Sequence, residues 1–453
     1  MKVSILRIDK YIFPVPFMLP LSFGKQSITV LDRLRICIHM VFSNDVSQTV
    51  VGWGEVPLNY PWFWPDMPEG DPNTILETII NELLNIWIQK GSIEHPLITG
   101  YDVLKHDLPE LGRKLTEQLG FEVPELSIEV INSAFDLALY DAYGKLNNRP
   151  VYSLFDKDCL PVPIDSFFSD CPEVASSLKN VNITTLLNSP VPSRLKVWHM
   201  VGINDSIEKK KLESWLNSGG IKRIKIKLSG DNLDWDLQRL IEIGRRIEEF
   251  DIEAVSIDYN GPASECWWLI DFLDKIERKD MKLYRLIQYI EQPLKPGILG
   301  DLNQINKLTE RKPLIVDEGA GSWQKLHQYY NAGWSGIALK ICKSQTSSLL
   351  MAILSRISGK LCTVMDLTNP SLAQIAHVQL AAFLSDRREL ESNSMQFCPE
   401  ASIFEQKIHK GVFTRKDGFL DLNSIQGPGY GYRIDEIARP LPKAVTVTNK
   451  DYL

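Results

Sequence analysis

Apolar and polar residues alternate over roughly the first fifty positions, as in Leu34-Arg35-Ile36-Cys37-Ile38-His39-Met40-Val41-Phe42. A period of two predicts antiparallel strands. A turn-rich aromatic segment follows, Leu58-Asn59-Tyr60-Pro61-Trp62-Phe63-Trp64-Pro65-Asp66. Between Thr74 and Leu154 the spacing becomes helical, with Ile131, Ala134, Phe135, Ala138, Leu139 and Ala142 forming an i, i+3, i+4, i+7 stripe. Residues 156–193 are rich in Pro, Ser and Asn without a clear period and read as an insertion or connecting loop. From about Arg194 short apolar runs recur, each followed by a polar turn and a helical stretch. They are Leu195–Val201, Ile221–Leu228, Ala254–Ile257, Leu286–Ile290, Leu314–Val316, Gly336–Leu339 and Leu361–Met365. Between two of them, Leu237, Leu240, Ile241, Gly244 and Ile247 line one helix face, opposed by Glu242, Arg245, Arg246 and Glu249. This alternation predicts parallel βα units. Runs that are apolar throughout favour a closed (β/α) barrel of TIM type, with seven to eight strands, behind an N-terminal α+β part. An open doubly wound sheet is the alternative, but no Gly-rich phosphate loop follows the first run.

Composition narrows the field. The 453 residues are 44% hydrophobic and 24% charged, and 57 acidic side chains against 50 basic ones give a net charge of −7. No Lys/Arg block suggests a nucleic-acid face. No run reaches the ~20 apolar residues of a membrane helix, and the start, Met1-Lys2-Val3-Ser4-Ile5-Leu6-Arg7, does not resemble a secretory signal. The seven cysteines are scattered and never form a C-x-x-C pair. Neither a disulfide framework nor a zinc site is indicated, and a reducing cytoplasm is expected.

The chemistry lies at the ends of the apolar runs, where a barrel keeps its active site. The second ends in Ile224-Lys225-Ile226-Lys227, the third in Ile257-Asp258-Tyr259-Asn260 and the fourth in Ile290-Glu291-Gln292-Pro293. The fifth ends in Val316-Asp317-Glu318-Gly319 and the sixth in Ala338-Leu339-Lys340. Singly, each acid reads as a helix cap or a surface charge. Repeated over five successive units, they read as a site. Asp258, Glu291 and Asp317 would aim three carboxylates at one place, where they repel unless a cation neutralises them. An all-oxygen set without His or Cys suits a hard ion, Mg²⁺ or Mn²⁺. Of Lys225 and Lys227 only one is expected to face squarely into the mouth, the other curling its stem round the rim. Lys340 approaches from four strands further round, so a proton could leave one face of a bound substrate and return to the other. Burial and neighbouring cations are expected to lower the lysine pKa values enough to supply a neutral base near pH 7. Asn260 and Glu318 would support this set, while His199, ending the first run, and Asp366, after the seventh, could face it. The segment Leu19–Thr29 and the aromatics Tyr60–Trp64, Tyr60 and Trp62 in particular, are expected over the mouth, suited to a partly apolar substrate or to sugar stacking.

These residues carry a resemblance to the enolase superfamily, in its mandelate racemase/muconate lactonizing branch, over most of the chain. Gly52-Trp53-Gly54-Glu55 is similar to a G-W-G-E strand of that family's capping domain. Ala134, Ala138, Leu139, Asp141, Gly144 and Lys145 resemble its A-x-x-x-A-L-x-D-x-x-G-K helix, and Gly427-Pro428-Gly429-Tyr430-Gly431 its G-P-G-x-G tail. The resemblance implies a capping domain of residues 1–155 completed by about 410–453, a connecting insertion at 156–193 and a catalytic barrel at 194–409. It implies Lys227 as base, Lys225 as electrostatic helper, and Asp258, Glu291 and Asp317 as ligands of Mg²⁺. Lys340 is similar to the strand-six lysine of the muconate lactonizing, succinylbenzoate synthase and dipeptide epimerase subgroup.

The implied reaction removes the proton alpha to a carboxylate and stabilises the enolate on the metal, as in the enolase-type sites that pair a Lys or His base with Mg²⁺. Racemisation, epimerisation or cycloisomerisation of a small carboxylic acid follows, or elimination as in a succinylbenzoate synthase or acid-sugar dehydratase. A homo-oligomer without nucleic-acid or membrane partner is expected. Two departures leave the substrate open. Lys343 is followed by Ser344-Gln345-Thr346 where the subgroup has a Gly-Gly turn, and the region near strand eight, Leu390-Glu391-Ser392-Asn393-Ser394-Met395, lacks the paired aspartates of dipeptide epimerases. A non-catalytic binding barrel would not need both Lys227 and Lys340, and a barrel aldolase or hydrolase usually adds histidine ligands that these strand ends lack.

Overall fold

The alternating N-terminal segment folds as a meander of β1 (Val3–Phe23), β2 (Gln26–Phe42) and β3 (Asp45–Pro57), as its period predicts. The computed structural model describes residues 3–23, 26–42, 45–68, 71–208, 214, 216–217 and 219–450. Ile36, Ile38 and Met40 alternate onto one sheet face and pack against the helices Pro72–Ile88 and Glu125–Leu146, making the first core. The second of these helices is buried on every side, because Ala134 and Ala138 face this core while Leu137 and Tyr140 face the next. Its approach to β3 is very close. A Cβ at Gly52 would lie 2.2 Å from the Ala138 carbonyl, and one at Gly54 2.0 Å from that of Ala134. Only glycine lets the two backbones meet there.

The second core belongs to the barrel. Eight parallel strands follow in chain order: β4 (Arg194–Val201), β5 (Arg223–Lys227), β6 (Ala254–Asp258), β7 (Ile287–Glu291), β8 (Leu314–Val316), β9 (Gly336–Leu339), β10 (Leu361–Val364) and β11 (Glu389–Glu391). They pair in the order β10-β9-β8-β7-β6-β5-β4-β11. Among the described residues no ladder joins β10 to β11. Loop contacts tie that seam instead, with the Asp366 amide 3.3 Å from Glu391 Oε2 and the Asn393 amide 2.8 Å from Asp366 Oδ2. Trp198, Ala254, Tyr289, Ile315, Ala338 and Met365 fill the interior, while Ile224, Ile226 and their equivalents pack outward against the helices.

β12 (Phe419–Asp421) lies antiparallel to β4, and β13 (Val445–Thr448) returns to pair with β1. This is the barrel with an N-terminal α+β capping domain that the patterns predict. Residues 156–193 are more ordered than their composition suggests. They hold the short helix Pro172–Leu178 between 3₁₀ turns, and bury Phe167, Phe168, Leu178 and Ile183 in the barrel core. Elements this short leave no readable period. No described helix is long and apolar enough to cross a membrane.

Candidate active site

The C-terminal strand ends carry Asp258, Glu291 and Asp317 to the barrel mouth, around the ammonium groups of Lys225 and Lys340. Asp258 and Glu291 are register partners across β6 and β7, and Asp317 stands one residue beyond β8. All three are buried beneath a layer of lysines. Lys225 Nζ lies 2.9 Å from Asp258 Oδ2, 2.9 Å from Glu291 Oε1 and 3.1 Å from Glu391 Oε2. Lys227 Nζ is 2.5 Å from the same Asp258 oxygen and 2.7 Å from Asn260 Oδ1. Both lysines therefore point into the barrel, against the expectation that only one would. Residues two apart on a strand share a face. Lys340 Nζ is 3.0 Å from Asp317 Oδ2 and donates to the Asp366 carbonyl at 3.0 Å. With eight strands in the ring, β5 and β9 are opposite one another, so Lys227 and Lys340 stand on opposing walls. They line a half-open cavity of about 40 Å³, together with Leu21, Asn59 and Trp62 of the cap.

The loops that carry these groups are strained. Asn260 and Gln292, just beyond β6 and β7, adopt φ of 51° and 38°, where side chains are disfavoured. Gln292 repays its conformation by accepting the Asp317 amide at 2.7 Å and the Gly319 amide at 3.2 Å, which fixes the Asp317-Glu318 turn. Glu318 Oε1 accepts from Asn260 Nδ2 at 2.9 Å and from the Trp62 indole at 2.8 Å. Lys343 underpins Asp317, its ammonium donating to the backbone oxygen at 2.6 Å and to Oδ1 at 3.1 Å.

Charge balance sets the protonation of the site. Asp258, Glu291, Asp317, Glu318 and Glu391 outnumber Lys225, Lys227, Lys340 and Lys343 by one. Burial and the neighbouring Asp258 hold the Glu291 carboxyl well above its usual range. Burial likewise raises Glu318, helped by Asp317. At Asp258 the burial effect is outweighed by Lys225 and Lys227, and at Asp317 by Lys340 and Lys343, so both lie low. The expected lowering of the lysines does not occur at two of them. Burial alone would depress Lys225 and Lys340, but Asp258 and Asp317 respectively, with their neighbours, hold both above the ordinary range. Carboxylate charge outweighs desolvation there.

Several single residues fall elsewhere than expected. His199 does not face the cavity. It lies between inward Trp198 and inward Met200, so its ring turns outward, with Nδ1 3.1 Å from Arg415, and burial holds it well below its ordinary pKa. Asp366 lines the cavity, but its carboxylate is taken up by the amides of Leu367, Asn369 and Asn393. Only its backbone carbonyl serves the site. Tyr60 packs against the cap core, as do Phe63 and Trp64, leaving Trp62 as the aromatic of that segment at the mouth. Of Leu19–Thr29, Leu21 reaches the cavity and packs on Met200 and Phe397, while residues 24–25 lie outside the described residues.

Glu391, Asn393 and Lys343 were not among the candidate residues. The first two could have been found by extending the strand-end rule to an eighth strand, which three residues flanked by charge conceal. Among the described residues, the group whose possible ligand atoms all lie within 4.8 Å of one another is not Asp258, Glu291 and Asp317, between which Lys225 and Lys340 intervene, but Asp9, Cys37 and His39 on the outer face of the capping sheet. The Arg7 guanidinium already bonds both Asp9, at 3.1 Å, and His39, at 3.0 Å, and supplies the cluster's positive charge.

A barrel with lysines and carboxylates gathered at its C-terminal mouth, under an α+β cap, is the architecture of one class of enzymes. The chain belongs to the enolase C-terminal domain-like family, whose model matches residues 208–438, and is an enzyme of the enolase superfamily in its mandelate racemase/muconate lactonizing branch. It is 22% identical over 319 residues to the L-Ala-D/L-Glu epimerase of Bacillus subtilis (strain 168), covering 70% of this chain and 67% of that protein. The solved structure of that epimerase with substrate superposes with a TM-score of 0.65 at 18% identity, over 98% of this chain and 99% of the other. The N-succinyl Arg/Lys racemase of Bacillus cereus ATCC 14579 gives 0.65 at 17% identity, over 99% and 100% of the two chains. A muconate lactonizing enzyme of Klebsiella pneumoniae gives 0.59 at 17%, over 99% and 98%. At such identities the superpositions speak for the fold.

Proposed function

We propose that the protein removes the proton alpha to the carboxylate of a small acid and returns a proton to the resulting enolate, as a racemase, epimerase or cycloisomerase. The observation that carries this reading is the placement of Lys227 and Lys340 on opposing walls of one cavity above buried Asp258, Glu291 and Asp317. Lys227 Nζ, steered by Asp258 and Asn260, takes the proton from one face, and Lys340 Nζ, anchored on Asp317 and the Asp366 carbonyl, serves the other. Lys225, clamped by three carboxylates, places fixed positive charge where the enolate develops its second negative charge.

Asp258, Glu291 and Asp317 fit a hard divalent ion, Mg²⁺ or Mn²⁺. Their donors are all oxygens, Glu291 Oε2 accepts no hydrogen bond among the described residues, and carboxylates are in excess, although their oxygens are not gathered within 4.8 Å of one another while Lys225 and Lys340 stand among them. Bound there, the ion would act as a Lewis acid toward the substrate carboxylate and take up negative charge that now holds Lys225 and Lys340 protonated.

The test is Cα deuterium uptake in D₂O over a panel of N-acyl amino acids, dipeptides, acid-sugars and cyclohexadiene carboxylates, which also reports elimination if a β-group departs. Lys227→Ala should lose exchange of one stereoisomer and Lys340→Ala that of its mirror image. Exchange persisting in the double variant would reject the assignment. Chelation should abolish turnover and Mg²⁺ restore it, and Mg²⁺ should raise the melting temperature of the parent protein but not of Glu291→Gln.

A further inference from the structure

The acids of the barrel mouth are held apart by lysines, whereas on the outer face of the capping sheet three different ligand types already meet. Asp9 of β1 pairs in register with Cys37 of β2, and Arg7 with His39, so four side chains project from one face as a block. His39 Nε2 lies 2.8 Å from Asp9 Oδ2 and 3.4 Å from Cys37 Sγ. Because the set is drawn from two strands, the spacing of cysteines along the chain gives no sign of it.

Hydrogen bonding alone does not satisfy this group. Arg7 Nη2 also approaches His39 Nε2, at 3.0 Å, and Asp9 Oδ2, at 3.1 Å. A guanidinium only donates and a carboxylate only accepts, while one ring nitrogen carries either a proton or a lone pair. Protonated, Nε2 opposes Arg7; bare, it opposes Asp9. A cation among the three ligand atoms removes the conflict, since oxygen, nitrogen and sulfur would each present a lone pair to it. Arg7 is half exposed and can swing away, whereas Asp9 and Cys37 are buried in the sheet. Asp9 is also aimed from behind. Its Oδ1 accepts from the Thr446 hydroxyl of β13 at 2.7 Å, the kind of outer contact that orients a metal ligand. The cluster opens on a cleft of about 820 Å³ between the sheet and the tail, wide enough for a hydrated ion.

We propose that Asp9, Cys37 and His39 bind Zn²⁺ in place of Arg7, as a structural brace of the capping domain. Thiolate, imidazole and carboxylate together suit a borderline ion rather than the hard ion proposed for the barrel mouth. At zinc's usual bond lengths a tetrahedral site needs about 3.5 Å between N and S and about 3.3 Å between N and O, and the side chains stand within about half an ångström of both. The Cys37 proton leaves to solvent as the Zn–S bond forms, and water from the cleft completes the coordination. The ion ties β1 to β2 and, through Thr446, to the returning tail. This site does not depend on the proposed reaction.

The probe is Co²⁺, added with Mg²⁺ in excess, because a cobalt–thiolate bond gives a near-ultraviolet charge-transfer band that oxygen ligands at the mouth cannot give. The parent should develop that band stoichiometrically, and Zn²⁺ should erase it. Cys37→Ser should abolish the band and His39→Ala should weaken binding beyond detection. Arg7→Ala, which keeps all three ligands, should tighten binding about five-fold, the worth of a half-exposed ion pair. Thr446→Val should weaken it about ten-fold. Zn²⁺ should also raise the melting temperature of the parent and of Glu291→Gln alike, which separates this site from the mouth, and should leave that of Cys37→Ser unchanged. Absence of the band from both the parent and Arg7→Ala would overturn the site. So would a band that survives in Cys37→Ser, which would place the thiolate on another cysteine. Should Cys37→Ser fail to fold, affinities in Arg7→Ala and Thr446→Val equal to the parent's would overturn it.

Discussion

Asp141, at the junction of cap and tail, and Asp258, at the barrel mouth, are both buried carboxylates bonded to lysine, yet they are built in opposite ways. Asp141 Oδ1 accepts the Tyr430 amide at 2.8 Å, and its Oδ2 accepts the Trp53 amide at 2.9 Å beside Lys145 at 2.7 Å. One carboxylate meets one ammonium, and the backbone supplies the rest. The positions around it, Gly52, Gly54, Ala134, Ala138 and Gly429, are small because backbones touch there. At Asp258 two lysines crowd one oxygen, further carboxylates press close, and neighbouring acid oxygens on Glu291 and Glu318 are left without hydrogen bonds among the described residues. A carboxylate fastened by backbone amides holds a fold. Asp258 keeps one backbone amide, from Asn260 to Oδ1 at 2.9 Å, but its other oxygen is met only by ammonium groups, which can be exchanged for other partners.

The contrast is open to breaking by exchange of effects. Lys227→Ala is expected to cut Cα deuterium exchange by about 10²–10⁴-fold, the usual contribution of a general base, with its unfolding curve close to that of the parent. Asp141→Ala is expected to do the reverse, lowering unfolding free energy by about 3–5 kcal/mol through the unpaired Lys145 and two orphaned amides, with activity per folded molecule retained. Urea unfolding and exchange measured on both variants decide it, and interchanged outcomes would end the distinction.

The next effect is smaller and depends on pH. Glu129, on the helix between cap and barrel, is fully buried, and burial with nearby Glu125 pushes its pKa up to about 7 despite Lys325 and Lys343. The folded chain keeps this proton up to about pH 7, whereas the unfolded chain releases it near the ordinary 4.5. Stability is therefore full below the unfolded value and declines as pH rises through that window, by about 3 kcal/mol in all. Urea midpoints between about pH 5 and 8 should show the decline in the parent and lose it in Glu129→Gln.

The smallest effect concerns the turn Ser344-Gln345-Thr346 that follows Lys343. Ser344 adopts φ 72° and ψ 154°, a region that strongly favours glycine. The turn is held by Gln345, which accepts from the hydroxyls of Tyr152 and Tyr430, and by Thr346, which bonds Asp136 of the interdomain helix. Ser344→Gly should raise unfolding free energy by about 1 kcal/mol, read from the shift in melting temperature. No gain would mean that the mouth carries no more backbone strain than the junction.

Much of this was legible in the sequence. Strand and helix periods follow from backbone geometry within a few residues, so β1 to β10 and the helix Glu125–Leu146 are read from local spacing. The acids and lysines at successive strand ends are visible for the same reason, since a chemical type repeats at a fixed place in each unit. The missing parts are matters of distance and facing. β11 is placed near Leu390 only by the family resemblance and not by its pattern, because Glu389 and Glu391 point inward to Arg223 and Lys225 and leave no apolar run. The outward turn of His199 depends on which parity of β4 faces the barrel axis. The choice of Trp62 over Tyr60 depends on Glu318, 256 residues away. Local hydrogen bonding and side-chain alternation determine elements from the chain alone. Which side chains share a cavity, and which charge prevails there, is decided only when the cap closes on the barrel and removes them from water.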